Sequence, residues 1–144
     1  MSYVLDTNIF NKLVDGTINP ADLPSDGAFV ATHIQIDEIN NTNDSGRRAQ
    51  LYLMFAKVRP KIIPTESFAF GVSRWGNAKF SHGALFMKLK QELDAMNGSK
   101  SNNIQDVMIA EVALANSFTL LTSDRHLAEA VEKIGGKVVL FKTS

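Results

Sequence analysis

The chain contains no cysteine, which excludes disulfides and thiolate metal sites. It has no unbroken apolar run of about 18 residues, so no segment reads as a membrane-spanning helix. Its N-terminus lacks the basic and apolar stretches of a signal peptide. A soluble, cytoplasmic protein is the expectation. An excess of charge of either sign is missing too, because fifteen Lys and Arg offset fifteen Asp and Glu. A protein that holds nucleic acid mainly by charge is usually basic. Composition therefore points to no nucleic-acid partner, yet leaves room for one held by a local patch or a bound cation. Repeats, low-complexity tracts and long linkers are absent. The three histidines, His33, His82 and His126, lie at no metal-ligand spacing; His126 is expected at the surface or in a helical turn.

What is present is enough for one domain. With 144 residues, 44% of them hydrophobic, the chain can bury a real core, and 1–144 reads as a single unit. Apolar periods alternate between strand and helix. Residues 2–6 read as strand, followed by Ile9, Phe10, Leu13 and Val14 at helical spacing with a stop at Gly16. "AFVAT" (28–32) is a second strand and 33–41 a helix. Residues 46–58 place Leu51, Met54, Phe55 and Val58 on one helical face. "KIIPT" is a short strand, and 83–98 is a helix with Leu85, Phe86, Leu89, Leu93 and Met96 inward. A loop over 98–103 leads to an apolar helix (103–116), a strand (118–122), a helix ended by two glycines, and a last strand (137–141). Such alternation implies parallel pairing and a sheet covered on both faces. The expectation is a three-layer α/β domain with a central parallel sheet of four to five strands flanked by helices.

Ligands of open parallel sheets bind beyond the carboxyl ends of the strands. Asp6 stands at such an exit, and Asp124 follows "FTLLT" by two residues. If those two strands are neighbours, both carboxylates meet at one edge. Asp106 lies in the first turn of its helix, and Ala110 and Ala113 on the same face are expected to leave space beside it. Glu111 points roughly 140° away and is set aside. Glu38 follows the second strand, and Asp37 lies about 100° round from it, so one of the two should face the site. Each acid has an ordinary alternative role. Asp6 or Thr7, and Ser123 or Asp124, could cap the helices they precede. Asp106 could merely favour its helix dipole, and Glu38 could be a solvated charge. Independent caps have no reason to converge on one edge, however. Converging carboxylates without His or Cys suit a hard cation, Mg²⁺ or Mn²⁺. The cation would relieve their mutual repulsion and activate water near a phosphate.

At this point "VLDTNIF", a Glu after the second strand, "D-x-x-I-A-x-x-A" and "LLTSD" resemble the PIN-domain family, in order and over essentially the whole chain. The resemblance implies a PIN-like fold and an Mg²⁺- or Mn²⁺-dependent endoribonuclease acting on RNA. Small bacterial members are often VapC-like toxins of toxin–antitoxin pairs, so an antitoxin partner and a homodimer are implied as well. By position it assigns Asp6, Glu38, Asp106 and Asp124 to the catalytic metal site, Asn8 to ordering the first aspartate, and Thr122 and Ser123 to the hydroxyl-bearing stretch before the last acid. Residues 64–82, rich in aromatics, depart from the compact toxin pattern.

Substrate positioning needs cations or stacking surfaces. Arg74, Trp75 and Arg125 are the leading candidates, with Arg47, Arg48, Lys57, Lys79 and Lys100 behind them. The plainer roles are solvated charge and, for Trp75, packing against the core or a partner. Two other readings compete with the nuclease. Another metal-dependent phosphohydrolase, of the haloacid dehalogenase type, would want a D-x-D pair where Asp6-Thr7-Asn8 stands. A non-catalytic, receiver-like binding domain would want a lysine after a late strand. Lys142 offers one, but the acid spacing and Glu38 fit that pattern poorly.

Overall fold

The computed structural model describes residues 1–63, 79–97 and 103–142. The segment 64–78, with Arg74 and Trp75, lies outside the described residues, as do the loop 98–102, with Lys100, and the side chains of Lys79, His82, Leu85 and Phe86.

The elements follow the expected alternation. They are β1 (Ser2–Leu5), α1 (Thr7–Asp15), β2 (Ala28–Ala31), α2 (His33–Asn40), α3 (Ser45–Val58), β3 (Lys61–Ile62), α4 (Lys79–Asn97), α5 (Asn103–Ala115), β4 (Thr119–Thr122), α6 (Arg125–Lys133) and β5 (Lys137–Leu140). Helix α4 begins four residues before the expected Gly83, because one glycine inside a helix costs only ~1 kcal/mol and tertiary packing overrides it. Helix α1 stops where expected. Gly16 takes the left-handed conformation, φ +79°, that a side chain would resist. After α6, Gly136 is required for another reason, since a Cβ there would collide with Leu114 and Val131.

The five strands among the described residues are parallel, in the order β3-β2-β1-β4-β5. Successive strands are therefore added to one side of β1 and then, from β4 on, to the other, which makes the carboxyl ends of β1 and β4 the topological switch point. Side chains alternate in strands, and the core splits accordingly. Val4 and Leu120 face a layer built from α4, α5 and α6, with Leu89, Leu93, Val107, Ile109 and Leu127 fully buried. Tyr3, Leu5 and Leu121 face the opposite layer with Ile9, Phe10 and Leu51. The expected stripe of α3 holds, as Met54, Phe55 and Val58 join Leu51 there. Arg47 fastens α3 to α1 through an ion pair to Asp15 at 2.8 Å and a hydrogen bond to Asn11 at 2.9 Å. This is the three-layer α/β sandwich expected from the sequence.

Candidate active site at the sheet switch point

Register decides the geometry. Val4 is opposite Leu120 and Leu5 opposite Leu121, so the next pair out is Asp6 and Thr122. Both continue the alternation toward the α5 layer. Asp6 occupies the N-cap position of α1, but its side chain makes no capping bond. Instead it is 2% exposed and accepts a hydrogen bond from Thr122 Oγ1 at 2.8 Å. Its backbone N–H donates to Leu121 O at 2.9 Å.

Helix α5 precedes β4 and runs back down the sheet, packing on β1 and β4. Its first turn, with Asp106, is thereby brought to the same edge. Ala110 and Ala113 do not leave an open space beside Asp106, contrary to the expectation. They are fully buried in the core, because the small-residue face of α5 is the one that beds on the sheet. Glu38 lies on α2, half-buried, while Asp37 is exposed, as the helical angle required. Glu38 Oε1 accepts a hydrogen bond from Thr7 Oγ1 at 2.7 Å. Asp124 does cap its helix. Its Oδ1 accepts from the N–H groups of His126 and Leu127 at 2.9 and 3.2 Å. Its own N–H donates to Thr122 Oγ1 at 3.0 Å, so Thr122 joins the two aspartates. Asn8 acts on the β4–α6 turn rather than on Asp6, its Oδ1 accepting a long hydrogen bond from the Ser123 N–H at 3.4 Å.

The electrostatics mark the four acids as one group. Burial pushes the Asp6 carboxyl up to about 7. The Thr122 hydrogen bond pulls against that rise, and the charges of Glu38 and Asp124 add to it. Burial also pushes Asp106 up to about 8, reinforced by Asp6, Asp124 and Glu38. Glu38 is raised by burial and drawn back by Thr7. The charges bearing on Asp106 are thus all negative, the situation a divalent cation relieves. Among the described residues, no three carboxylate or histidine side chains close round a single point where an ion could sit. Thr122, Thr7 and the cap N–H groups hold oxygens of Asp6, Glu38 and Asp124 instead. In kind, the oxygen-only donor set fits Mg²⁺ or Mn²⁺.

Two supporting residues were missed from the sequence. Thr7 reads as a cap beside Asp6, and nothing local ties it to a residue on α2. Gln35 carried a signal that could have been used: "THIQ" has the T-x-x-Q spacing of a capping box. Fully buried, Gln35 accepts from the N–H and hydroxyl of Thr32 at 2.8 and 2.6 Å and donates Nε2–H to Leu5 O at 2.9 Å. Helix α2 therefore grips the residues on both sides of Asp6, Leu5 through Gln35 and Thr7 through Glu38. Glu111, set aside on helical angle, is buried on α5.

Solved structures share this fold over nearly their whole length. A chain of the VapBC2 complex from Rickettsia felis, bound to a DNA fragment from their promoter, superposes with a TM-score of 0.63 at 18% identity, covering 99% of this chain and 100% of that one. The chain has a PIN-like fold. Other matches to this PIN-like fold include VapBC-5 from Mycobacterium tuberculosis, a member of the VapBC family of toxin–antitoxin systems, with a TM-score of 0.59 at 18% identity over 99% of this chain and 98% of that one. FitAcB from Neisseria gonorrhoeae gives 0.55 at 16% identity over 94% and 95%. Likeness at such identity is likeness of fold. No protein-family model matches the sequence, and the search of curated proteins found no match. Among the described residues of this PIN-like chain, no helix is long and apolar enough to cross a membrane.

Proposed function

We propose that this chain is a divalent-metal-dependent endoribonuclease that hydrolyses RNA phosphodiester bonds, acting as the toxin of a toxin–antitoxin pair. The observation that carries the reading is the gathering of Asp6, Glu38, Asp106 and Asp124 near the switch point of the sheet, where the charges of Glu38 and Asp124 bear on Asp6 and those of all three others bear on Asp106. Capping accounts for Asp124 alone; it does not explain why the charges of Asp6, Glu38 and Asp124 all bear on Asp106. The structural likeness to chains of VapBC and FitAB complexes supports the toxin part.

Asp6, Asp106 and Asp124 would hold Mg²⁺ or Mn²⁺, with Glu38 completing the set. The cation, when bound, lowers the pKa of an attached water and offsets charge on the phosphate. Asp6 is fixed for this role by Thr122, whose hydroxyl proton is directed at Oδ2. Glu38, which accepts a hydrogen bond from Thr7, would complete the site or orient the attacking water. Asp124 uses Oδ1 to hold the turn at the start of α6. The products would carry 5′-phosphate and 3′-hydroxyl ends. An antitoxin and a second copy of the chain are the proposed partners. Exposed apolar side chains such as Leu53 on α3 and Met87 on α4 offer surface for them.

The test is cleavage of a mixed-sequence single-stranded RNA with Mn²⁺ or Mg²⁺, run beside EDTA and Asp6→Asn. Cleavage that disappears in both controls is expected. Full activity in Asp6→Asn would remove the carboxylate cluster from the chemistry.

A further inference from the structure

A cluster of four carboxylates repels the polyanion it is proposed to cut, so the flanking phosphates need cations at the same edge. The described cations are unevenly placed. Arg47 is engaged by Asp15 at 2.8 Å, Lys90 by Asp94 at 2.6 Å and Lys133 by Glu92 at 3.0 Å. Lys57 ends α3 and Lys137 begins β5, both at the amino edge of the sheet. At the carboxyl edge, by contrast, β5 runs out beside β4. The Phe141 N–H donates to Thr122 O at 2.8 Å, one strand away from the Thr122–Asp6 bond. Lys142 follows, exposed. Between this exit and the start of α6 lies a cleft of 340 Å³ lined by Ser123, Arg125, Leu140, Phe141 and Lys142. An adjoining hollow of 410 Å³ shares Ser123 and Arg125 and reaches Asp124. Arg125 meets Glu129 only at 3.7 Å with both side chains largely exposed, a contact that holds the guanidinium weakly.

We infer that this cleft is a subsite for the backbone of single-stranded RNA, in which Arg125 and Lys142 bind phosphates flanking the one presented to the carboxylates. The apolar floor supplied by Leu140 and Phe141 receives sugar or base surface. The inference rests on the nuclease reading and adds a direction to it: the strand leaves the acid cluster across β4 and β5. A guanidinium and an ammonium separated by an apolar floor match a chain of alternating phosphates and rings.

The test uses full-length protein and a fluorescein-labelled oligouridine, with binding followed by anisotropy in EDTA over a range of salt. Arg125→Ala/Lys142→Ala is expected to weaken binding roughly tenfold. It should also lower the slope of log K against log salt by about 1.4, the loss of two phosphate contacts to a single strand. Lys137→Ala, which removes the same charge from the other end of β5, should bind as the unaltered protein does. Equal binding and equal slope in the double variant would overturn the subsite while leaving RNA binding, and the nuclease reading, in place. No binding by the unaltered protein would also overturn it, and metal-dependent cleavage would then judge the nuclease reading separately. Ultraviolet cross-linking of a 5-iodouridine oligonucleotide gives a second readout: cross-links should map to the peptide containing Phe141, and mapping confined to other peptides would reject the assignment.

Discussion

Asp6 and Asp124 occupy the same local setting and use it differently. Each follows a parallel strand, and each is the N-cap residue of the next helix. Asp124 behaves as an N-cap aspartate should, accepting two backbone N–H groups and so contributing about 1 kcal/mol to stability. Asp6 makes no capping bond with its side chain and is buried near other carboxylates, with its pKa raised to about 7. A group in that state is a cost to the metal-free fold. One aspartate is held in place by the fold it supports; the other is held against the fold's own preference, the usual mark of a functional group.

The largest effect that would sharpen this contrast is on stability. Between its ordinary value of 3.8 and about 7, the folded protein keeps a proton on Asp6 that the unfolded chain has released. Metal-free stability should therefore fall as pH rises through that window and lose nothing further from Asp6 above it. Asp106, raised to about 8, extends the fall upward. Asp6→Asn removes the charge and keeps an acceptor for Thr122. Urea unfolding in EDTA at pH 8 is expected to show the variant more stable by about 2 kcal/mol, with the gap closing near pH 4. A variant less stable than the parent at pH 8 would break the contrast. Added Mn²⁺ should stabilise the parent and not the variant.

A smaller effect concerns the clamp beside Asp6. Thr7→Val keeps the shape and deletes the hydroxyl that bonds Glu38. Calorimetric titration should show Mn²⁺ affinity reduced about tenfold, with Thr7→Ser restoring most of it. Affinity equal in all three would mean the hydrogen bond does not position Glu38.

The smallest effect falls on Asp124. Asp124→Ala should lose about 1 kcal/mol by thermal unfolding, whereas Asp124→Asn, still a good N-cap, should lose only a few tenths. Cleavage should vanish in both. Retained cleavage in the asparagine variant would make Asp124 a cap and nothing more.

Much of this was legible in the chain itself. Strand exits could be read from short apolar runs ending in Asp6 and Thr122, helix starts and stops from Gly16 and the final glycine pair, and from helical angle that only one of Asp37 and Glu38 faces the site. Those are local properties, fixed by 2.0- and 3.6-residue periods and by residues that break them. Even the capping box of Gln35 was written in four consecutive letters. What the sequence could not say is which strands are neighbours, because pairing depends on contacts between residues more than a hundred positions apart. Tertiary structure alone decided that β1 lies beside β4 in the register that puts Thr122 against Asp6. It also decided that Ala110 and Ala113 bed on the sheet instead of opening a space, and that Thr7 reaches across to Glu38. The chemistry of the four carboxylates belongs to the sequence; their meeting, and the burial that raises Asp6 and Asp106, belongs to the packing of helices on a parallel sheet.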